Sequence, residues 1–231
     1  MKIISSILLL VCCISATAAN LVKYELKVNE FHELKVVDGI NVVYSCNPDS
    51  AGLAVFTCPS DEAAAFIFNN PKGKGVLSMQ LSTESIGRKN MPVVYVYSTF
   101  LTKVENSGDS LVKVLNVAKG PKFSAQLIGN GRLVVKDVKA TEVNAGISTG
   151  NGTLVIAGEC ELAKIKLVGT GVIQADELKA DEVSVKASGT GSVGVWPLES
   201  LSVSGVGSTK VYYKGEPKIK NRTLGIKTLP L

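Results

Sequence analysis

The sequence predicts an all-β chain wound as a parallel β-helix, a solenoid of coils about twenty residues long with a β-rich capping region before them. Two observations carry this. Small glycine-framed turns recur at a nearly fixed interval: Gly129-Asn130-Gly131, Gly150-Asn151-Gly152, Gly169-Thr170-Gly171, Gly189-Thr190-Gly191 and Gly205-Val206-Gly207, with Asn106-Ser107-Gly108 as a degenerate first member. Between them, apolar residues alternate at i and i+2, as in Leu133/Val135, Leu154/Ile156, Val143/Ala145, Ile165/Leu167, Val183/Val185 and Leu201/Val203. That spacing, rich in Val and Ile, means strands with one buried face. No i, i+3, i+4, i+7 stripe persists, so helical repeats are disfavoured. A unit this short cannot bury an apolar face alone and must stack on its neighbours, rising about 4.8 Å per coil. Six coils would make a rod about 30 Å long.

Residues 1–19 have the pattern of a signal peptide: Lys2, an apolar run over 3–14, then Ala16-Thr17-Ala18-Ala19. The run is shorter than the roughly 20 residues of a membrane span, so export without a transmembrane span in the mature chain is expected. The destination is the periplasm, the outer-membrane surface or the extracellular space. Cys12 and Cys13 raise lipidation, but Leu10-Val11 lacks the small residue such a site wants.

Residues 20–104 read as the N-terminal β-rich region, 105–222 as the repeat region and 223–231 as a C-terminal tail. Within the first, Phe31, Leu34, Val36, Ile40 and Val42 are strand-like on either side of Asp38-Gly39, and Leu53/Val55, Val76–Leu81 and Val93–Tyr97 follow. Residues 61–68 admit a short helix or a strand, and 71–75 form a turn. The region caps or begins the same solenoid, since a solenoid end has to be closed.

In the repeats, Gly108, Gly129, Gly131, Gly150, Gly152, Gly169, Gly171, Gly189, Gly191, Gly205 and Gly207 are read as corner residues taking positive φ. A phosphate loop needs a helix N-terminus behind it, and a calcium-binding β-roll needs a regular Asp; these turns have neither. No cofactor or metal is expected.

Export leaves Cys46, Cys58 and Cys160. Cys46 and Cys58 flank residues 47–52 on adjacent strand-like segments, so a disulfide across a hairpin and a pair of small buried thiols both fit. Cys160 sits between Glu159 and Glu161 with no histidine beside it. The net charge is +5; loss of Lys2 leaves 24 basic against 20 acidic residues, or +4. Lys136, Lys139, Lys164, Lys166, Lys179 and Lys186 alternate with Asp137, Glu142, Glu159, Glu161, Asp176, Glu177, Asp181 and Glu182, which reads as a mixed surface. A nucleic-acid ligand would want a basic stripe interleaved with aromatics and is not expected. Weak attraction to acidic glycans is compatible with the charge.

The order Phe31-x-x-Leu34-x-Val36-x-x-Gly39-Ile40-Asn41-Val42-x-Tyr44, then Leu77–Leu81, then 93–101, then the glycine-turn coils from Ser107-Gly108, resembles the putative auto-transporter adhesin head domain, or GIN domain, of Bacteroidetes. The resemblance runs from about Asn29 to Lys214, with Gly39, Ile40 and Asn41 as its short motif and Val206 as a departure in the last turn. It implies an exported β-helical protein whose partner is an envelope or host glycan or protein. The usual host also implies O-glycosylation at Asp-Ser-aliphatic triplets, here Ser50 in Asp49-Ser50-Ala51 and Ser110 in Asp109-Ser110-Leu111. An Asx turn at each Asp is the competing explanation.

Catalysis is not expected. The lone His32 lacks a nucleophile setting. β-Helical polysaccharide lyases and hydrolases remain the alternative class, with Arg132, Lys136, Asp137, Tyr95 and Tyr97 as the residues that would have to share a face.

Overall fold

The computed structural model describes residues 21–88 and 90–231. The signal-peptide and lipidation expectations, at 1–19 and at Cys12 and Cys13, lie outside the described residues. Fourteen strands form one continuous sheet, wound as a β-solenoid of about six turns with about 21 residues per coil.

Each coil presents two main sheet faces. The first face stacks β1 (Leu21–Lys27), β4 (Leu53–Pro59), β7 (Val94–Ser98), β3 (Val42–Cys46), β9 (Leu111–Val114) and the start of β11 (Arg132–Ile147). The second stacks β5 (Phe66–Asn69), β6 (Val76–Leu81), β2 (Glu33–Val36), β8 (Lys103–Asn106), β10 (Gly120–Leu127) and the end of β11. From there β12 (Thr153–Tyr213) winds on through several coils as an unbroken extended run, parallel to β11, with Arg132 opposite Thr153 and Ile147 opposite Leu167. A short third side, Val138–Ala140 opposite Gly158–Cys160, lies between the two main faces. The alternating residues point inward as expected: Leu133, Val135, Val143, Leu154, Ile156, Ile165, Leu167, Val185 and Val203 are all buried.

Coil order in space departs from order in sequence. β3 pairs in parallel with both β7 and β9, and β2 with both β6 and β8. The coil β2–β3 is therefore formed first yet lies between β6–β7 and β8–β9. The intervening chain runs out along β4 and β5, which pair antiparallel with β7 and β6, and β1 adds antiparallel to β4. This reversal ends the parallel stack at the N-terminal side. Phe56 closes it, stacked on Tyr24 at 5.2 Å and packed on Phe66 at 4.8 Å and Phe68 at 6.0 Å between ring centroids.

At the other end, residues 223–231 are part of the solenoid rather than a tail. β13 (Lys218–Leu224) and β14 (Lys227–Pro230) pair in parallel with β12 and complete one more coil. Its inward positions turn partly polar, although Ile219 continues the column of Leu201 and Ile226 is buried. Asn221 continues the column of Val203, Thr223 that of Gly205 and Thr228 that of Val211, and the Thr228 hydroxyl donates to Asn221 Oδ1 at 3.3 Å. In those three columns a hydrogen-bonding side chain caps the stack.

The turn glycines fall into two groups. The first of each pair has positive φ, as at Gly169 (99°) and Gly189 (137°). Gly131, Gly152 and Gly171 do not. Their requirement is space, because a Cβ on Gly152 would come 2.7 Å from the Gly131 carbonyl oxygen. The expectation of positive φ at every turn glycine is corrected accordingly.

Candidate binding surface

The Gly39-Ile40-Asn41 motif is a corner between β2 and β3. Ile40 is fully buried, and the left-handed residue is Asp38, with φ 64°. Asp38 Oδ2 accepts the Leu81 N–H of the coil on one side at 3.0 Å, while Asn41 Oδ1 accepts the Leu111 N–H of the coil on the other at 3.0 Å. The motif thus fastens the out-of-order coil to both neighbours, a structural task. Asn106 does the same at the next corner: its Oδ1 accepts from the Gly108 N–H at 3.1 Å and its Nδ2 donates to the Ser110 and Arg132 carbonyls. Sequence reading passed over Asn106 as part of a degenerate turn. Glycine is required at 108 because a Cβ there would run into the Asp38 backbone.

Beside this corner, Asp38, Asn41, Arg88, Asp109 and Ser110 border an open recess of about 690 Å³. Ser110 is only 7% exposed, and its hydroxyl has no partner among the described residues. Burial removes it as a glycosylation acceptor, which corrects that expectation; Asp109 beside it is exposed. Ser50 is half-buried at the end of a short 3-10 turn, where Asn47 Oδ1 accepts the Asp49 N–H at 3.0 Å.

The cysteines are free. β7 lies between β3 and β4, pairing with each, so Cys46 and Cys58 are not hairpin neighbours. The disulfide reading is corrected in favour of the thiols. The Cys46 thiol donates to the Thr99 carbonyl at 3.0 Å, whereas Cys58 is buried and its pKa is raised by that burial. Burial, helped by Asp181 and Glu161, pushes the Cys160 thiol up to about 12, so it is no nucleophile at neutral pH.

The five residues considered for a catalytic face do not meet at one site. Tyr95 is opposite Val43 on β3, Val43 is opposite Lys113 on β9, and Arg132 lies one strand further on. Three strand spacings, about 14 Å, separate the tyrosines from Arg132. Asp137 sits at the next corner, 3.5 Å from Lys139. His32 stacks flat on Phe100 at 5.7 Å. Trp196, not singled out in the sequence, has Lys179 and Lys214 over its ring at 4.8 and 5.1 Å, and Lys214 is also paired with Asp176 at 3.4 Å. Those lysines already cover the ring.

The outward side of the second face is different. On the N-terminal coils it carries compensated charge: Lys103 lies 3.8 Å from both Glu33 and Glu105. Midway, Glu142 takes up Lys164 at 2.8 Å, Lys122 at 3.0 Å and the Asn144 amide at 2.7 Å. Those bonds, Lys164 first, hold the Glu142 carboxyl down at about 2. Beyond it, two outward columns run along the axis. Gly146 is opposite Lys166; Lys166 and Lys186 share one groove wall with Ser204; and Ser204 is opposite Arg222. In the second column Asn144 is opposite Lys164, Ser184 follows, and Ser202 is opposite Lys220. Lys166, Lys186, Lys220 and Arg222 are exposed and in no ion pair among the described residues. The missing side chain at Gly146 opens a groove of about 290 Å³ between Gln126, Asn144 and these lysines. The mixed surface expected from the sequence is therefore sorted by the fold. Lys139, Glu159 and Lys179 go to the third side, and Lys166, Lys186, Lys220 and Arg222 stay together on the second face.

No group of three or more His, Cys, Asp or Glu is placed to hold a metal among the described residues, and no described helix is long and apolar enough to cross a membrane.

Comparison with known proteins agrees with the fold. A family model described as "Putative auto-transporter adhesin, head GIN domain" matches residues 30–217. A crystal structure of a putative adhesin from Bacteroides fragilis superposes with TM-score 0.81 at 17% identity, covering 91% of this chain and 97% of that one. A putative lipid binding protein from Parabacteroides distasonis gives 0.72 at 16% identity, with 93% and 98% covered, and a putative adhesin from Parabacteroides merdae gives 0.68 at 18%, with 91% and 96%. None of the curated proteins matches.

Proposed function

The chain belongs to the putative auto-transporter adhesin, head GIN domain family, and from that premise we propose that it is an exported envelope or surface protein that binds an extended glycan or protein ligand without turning it over. The observation that supports this reading is the outward side of the second face, a flat strip of regularly spaced polar and cationic side chains beyond Glu142. A strip of this form offers many equivalent weak contacts, which suits a long repetitive ligand, and no closed cleft in which water is excluded from a reacting bond. The scattering of Tyr95, Arg132 and Asp137 supports the absence of catalysis.

Glycan and envelope-protein arrays probed with the mature chain test the proposal, each hit being followed for ligand cleavage. Retained binding of an uncleaved ligand is the expected result. Release of shortened saccharides from any hit would overturn it in favour of a polysaccharide-active enzyme.

A further inference from the structure

We infer that the ligand of the second face is an anionic polysaccharide lying along the solenoid axis over the coils from Gly146 to Arg222, an inference that rests on the binding reading above. The first ground is charge placement. Lys166 and Lys186 stand on successive coils and Arg222 two coils further, so the cations follow the strand spacing of about 4.8 Å and its multiples. Lys220 flanks them in the parallel column, opposite Ser202. Regular cations along one line match a polymer with regularly spaced acids better than they match a single anion.

Acid does not cancel this ladder. Glu142, at its near end, is held by Lys122, Lys164 and Asn144. Glu182 is exposed two residues before Ser184 and so flanks the strip at its border. Neither is in an ion pair with Lys166, Lys186, Lys220 or Arg222 among the described residues.

The second ground is what lies between the cations. The interleaved positions are Asn144, Ser184, Ser202 and Ser204, with Gln126 at the groove's edge. Amides and hydroxyls both donate and accept, as the hydroxyl groups of a sugar chain require. A single-stranded nucleic acid would use aromatic platforms for its bases, and these columns contain none. A lipid surface would be met by apolar side chains inserted beside the cations; the two columns contain none, and the exposed Val206 and Leu224 beside them at the far end are the reason for setting vesicles against the polysaccharide below. The Gly146 groove gives one sugar unit room to sit below the plane of its neighbours.

The probe is polygalacturonate, a carboxylate polysaccharide, compared with uncharged dextran, with phosphatidylglycerol vesicles and with an oligothymidylate, over a series of salt concentrations. The test protein is the triple variant K166Q/K186Q/R222Q. Its control is K119Q/K139Q/K179Q, which removes the same charge from the side bearing the third face. Melting curves check that both remain folded.

The wild-type chain is expected to bind polygalacturonate more weakly as salt rises. The strip variant should lose at least about tenfold in affinity, and the control about twofold or less, since only contacting cations are screened locally. Equal losses in both variants would reduce the effect to net charge and overturn the inference. So would tighter binding to the vesicles or the oligonucleotide, or no binding of polygalacturonate. Binding of dextran that the strip variant leaves intact would overturn the anionic ligand yet leave the binding reading standing, whereas arrays without any glycan or protein ligand would end both.

Discussion

Replacing Gly189 with valine should loosen the solenoid, and the geometry says by how much. Gly189 has φ 137°, a region that side-chain-bearing residues avoid. Holding another residue there costs about 1–3 kcal/mol. Space adds to this, because a Cβ on Gly189 would come 3.0 Å from the Gly169 nitrogen and carbonyl carbon and press on its oxygen, all backbone atoms fixed by coil stacking. Overpacking of that kind costs about 1–3 kcal/mol more. The sum, about 2–6 kcal/mol, lowers the melting temperature by about 2–4 °C per kcal/mol in a domain of this size. A fall near 10 °C is the expected result, read by circular dichroism at the strand band. Gly169→Val should cost less: its φ is 99°, but the nearest atom to its Cβ is the Gly150 oxygen at 3.3 Å. Gly39→Ala is the control, with ordinary φ and nothing within 4 Å of the new methyl, so its melting point should stay or rise slightly. Wild-type melting of Gly189→Val, or a Gly39→Ala loss of equal size, would refute the assigned coil register.

Alkylation of unreduced, denatured protein should label Cys46, Cys58 and Cys160 together; protection of the first two would show a bridge and break the placement of β7 between β3 and β4. The Glu142 carboxyl has its folded pKa lowered to about 2, so its contribution to stability is present above the unfolded value near 4.3 and is lost as pH falls through 2. Glu142→Gln should therefore be less stable than the wild type at pH 7 and equal to it near pH 2 in paired melts, and a gap that widens with acid would contradict the ion cluster. If the chain is glycosylated in a Bacteroides host, peptide mass spectrometry should find the sugar on Ser50 and not on the buried Ser110; a modified Ser110 would refute its packing.

The coil array was legible because stacking imposes it on the sequence twice, through alternating apolar residues such as Leu154 and Ile156 and through the glycine turns. Which glycines need positive φ and which need space was not legible. Both demands select the same residue, and only the backbone φ tells Gly152, which needs space alone, from Gly189, which needs both. Order in the N-terminal region was hidden for another reason. Strand pairing depends on which coil lies beneath, and residues 76–98 give no local sign that they return under β2–β3 rather than continuing above. The choice between a disulfide and two thiols was open for the same reason, since Cys46 and Cys58 are near in sequence while β7 keeps them apart in space. The motif at Gly39-Ile40-Asn41 was found from the sequence, but its task required the Leu81 and Leu111 partners that only the fold supplies.

Charge shows how a solenoid rewrites a sequence. Along the chain, lysines and acids alternate every few residues and look balanced. A coil of about 21 residues instead places Lys166 beside Lys186, carries Asp181 to the third side and brings Glu182 only to the border of the strip. The terminal coil uses the same rule twice over. In β13 the even positions Lys220 and Arg222 point outward and lengthen the cationic columns, while the odd positions Asn221 and Thr223 cap the inward columns of Val203 and Gly205. One alternating strand therefore sets both the extent of the cationic strip and the limit of the fold.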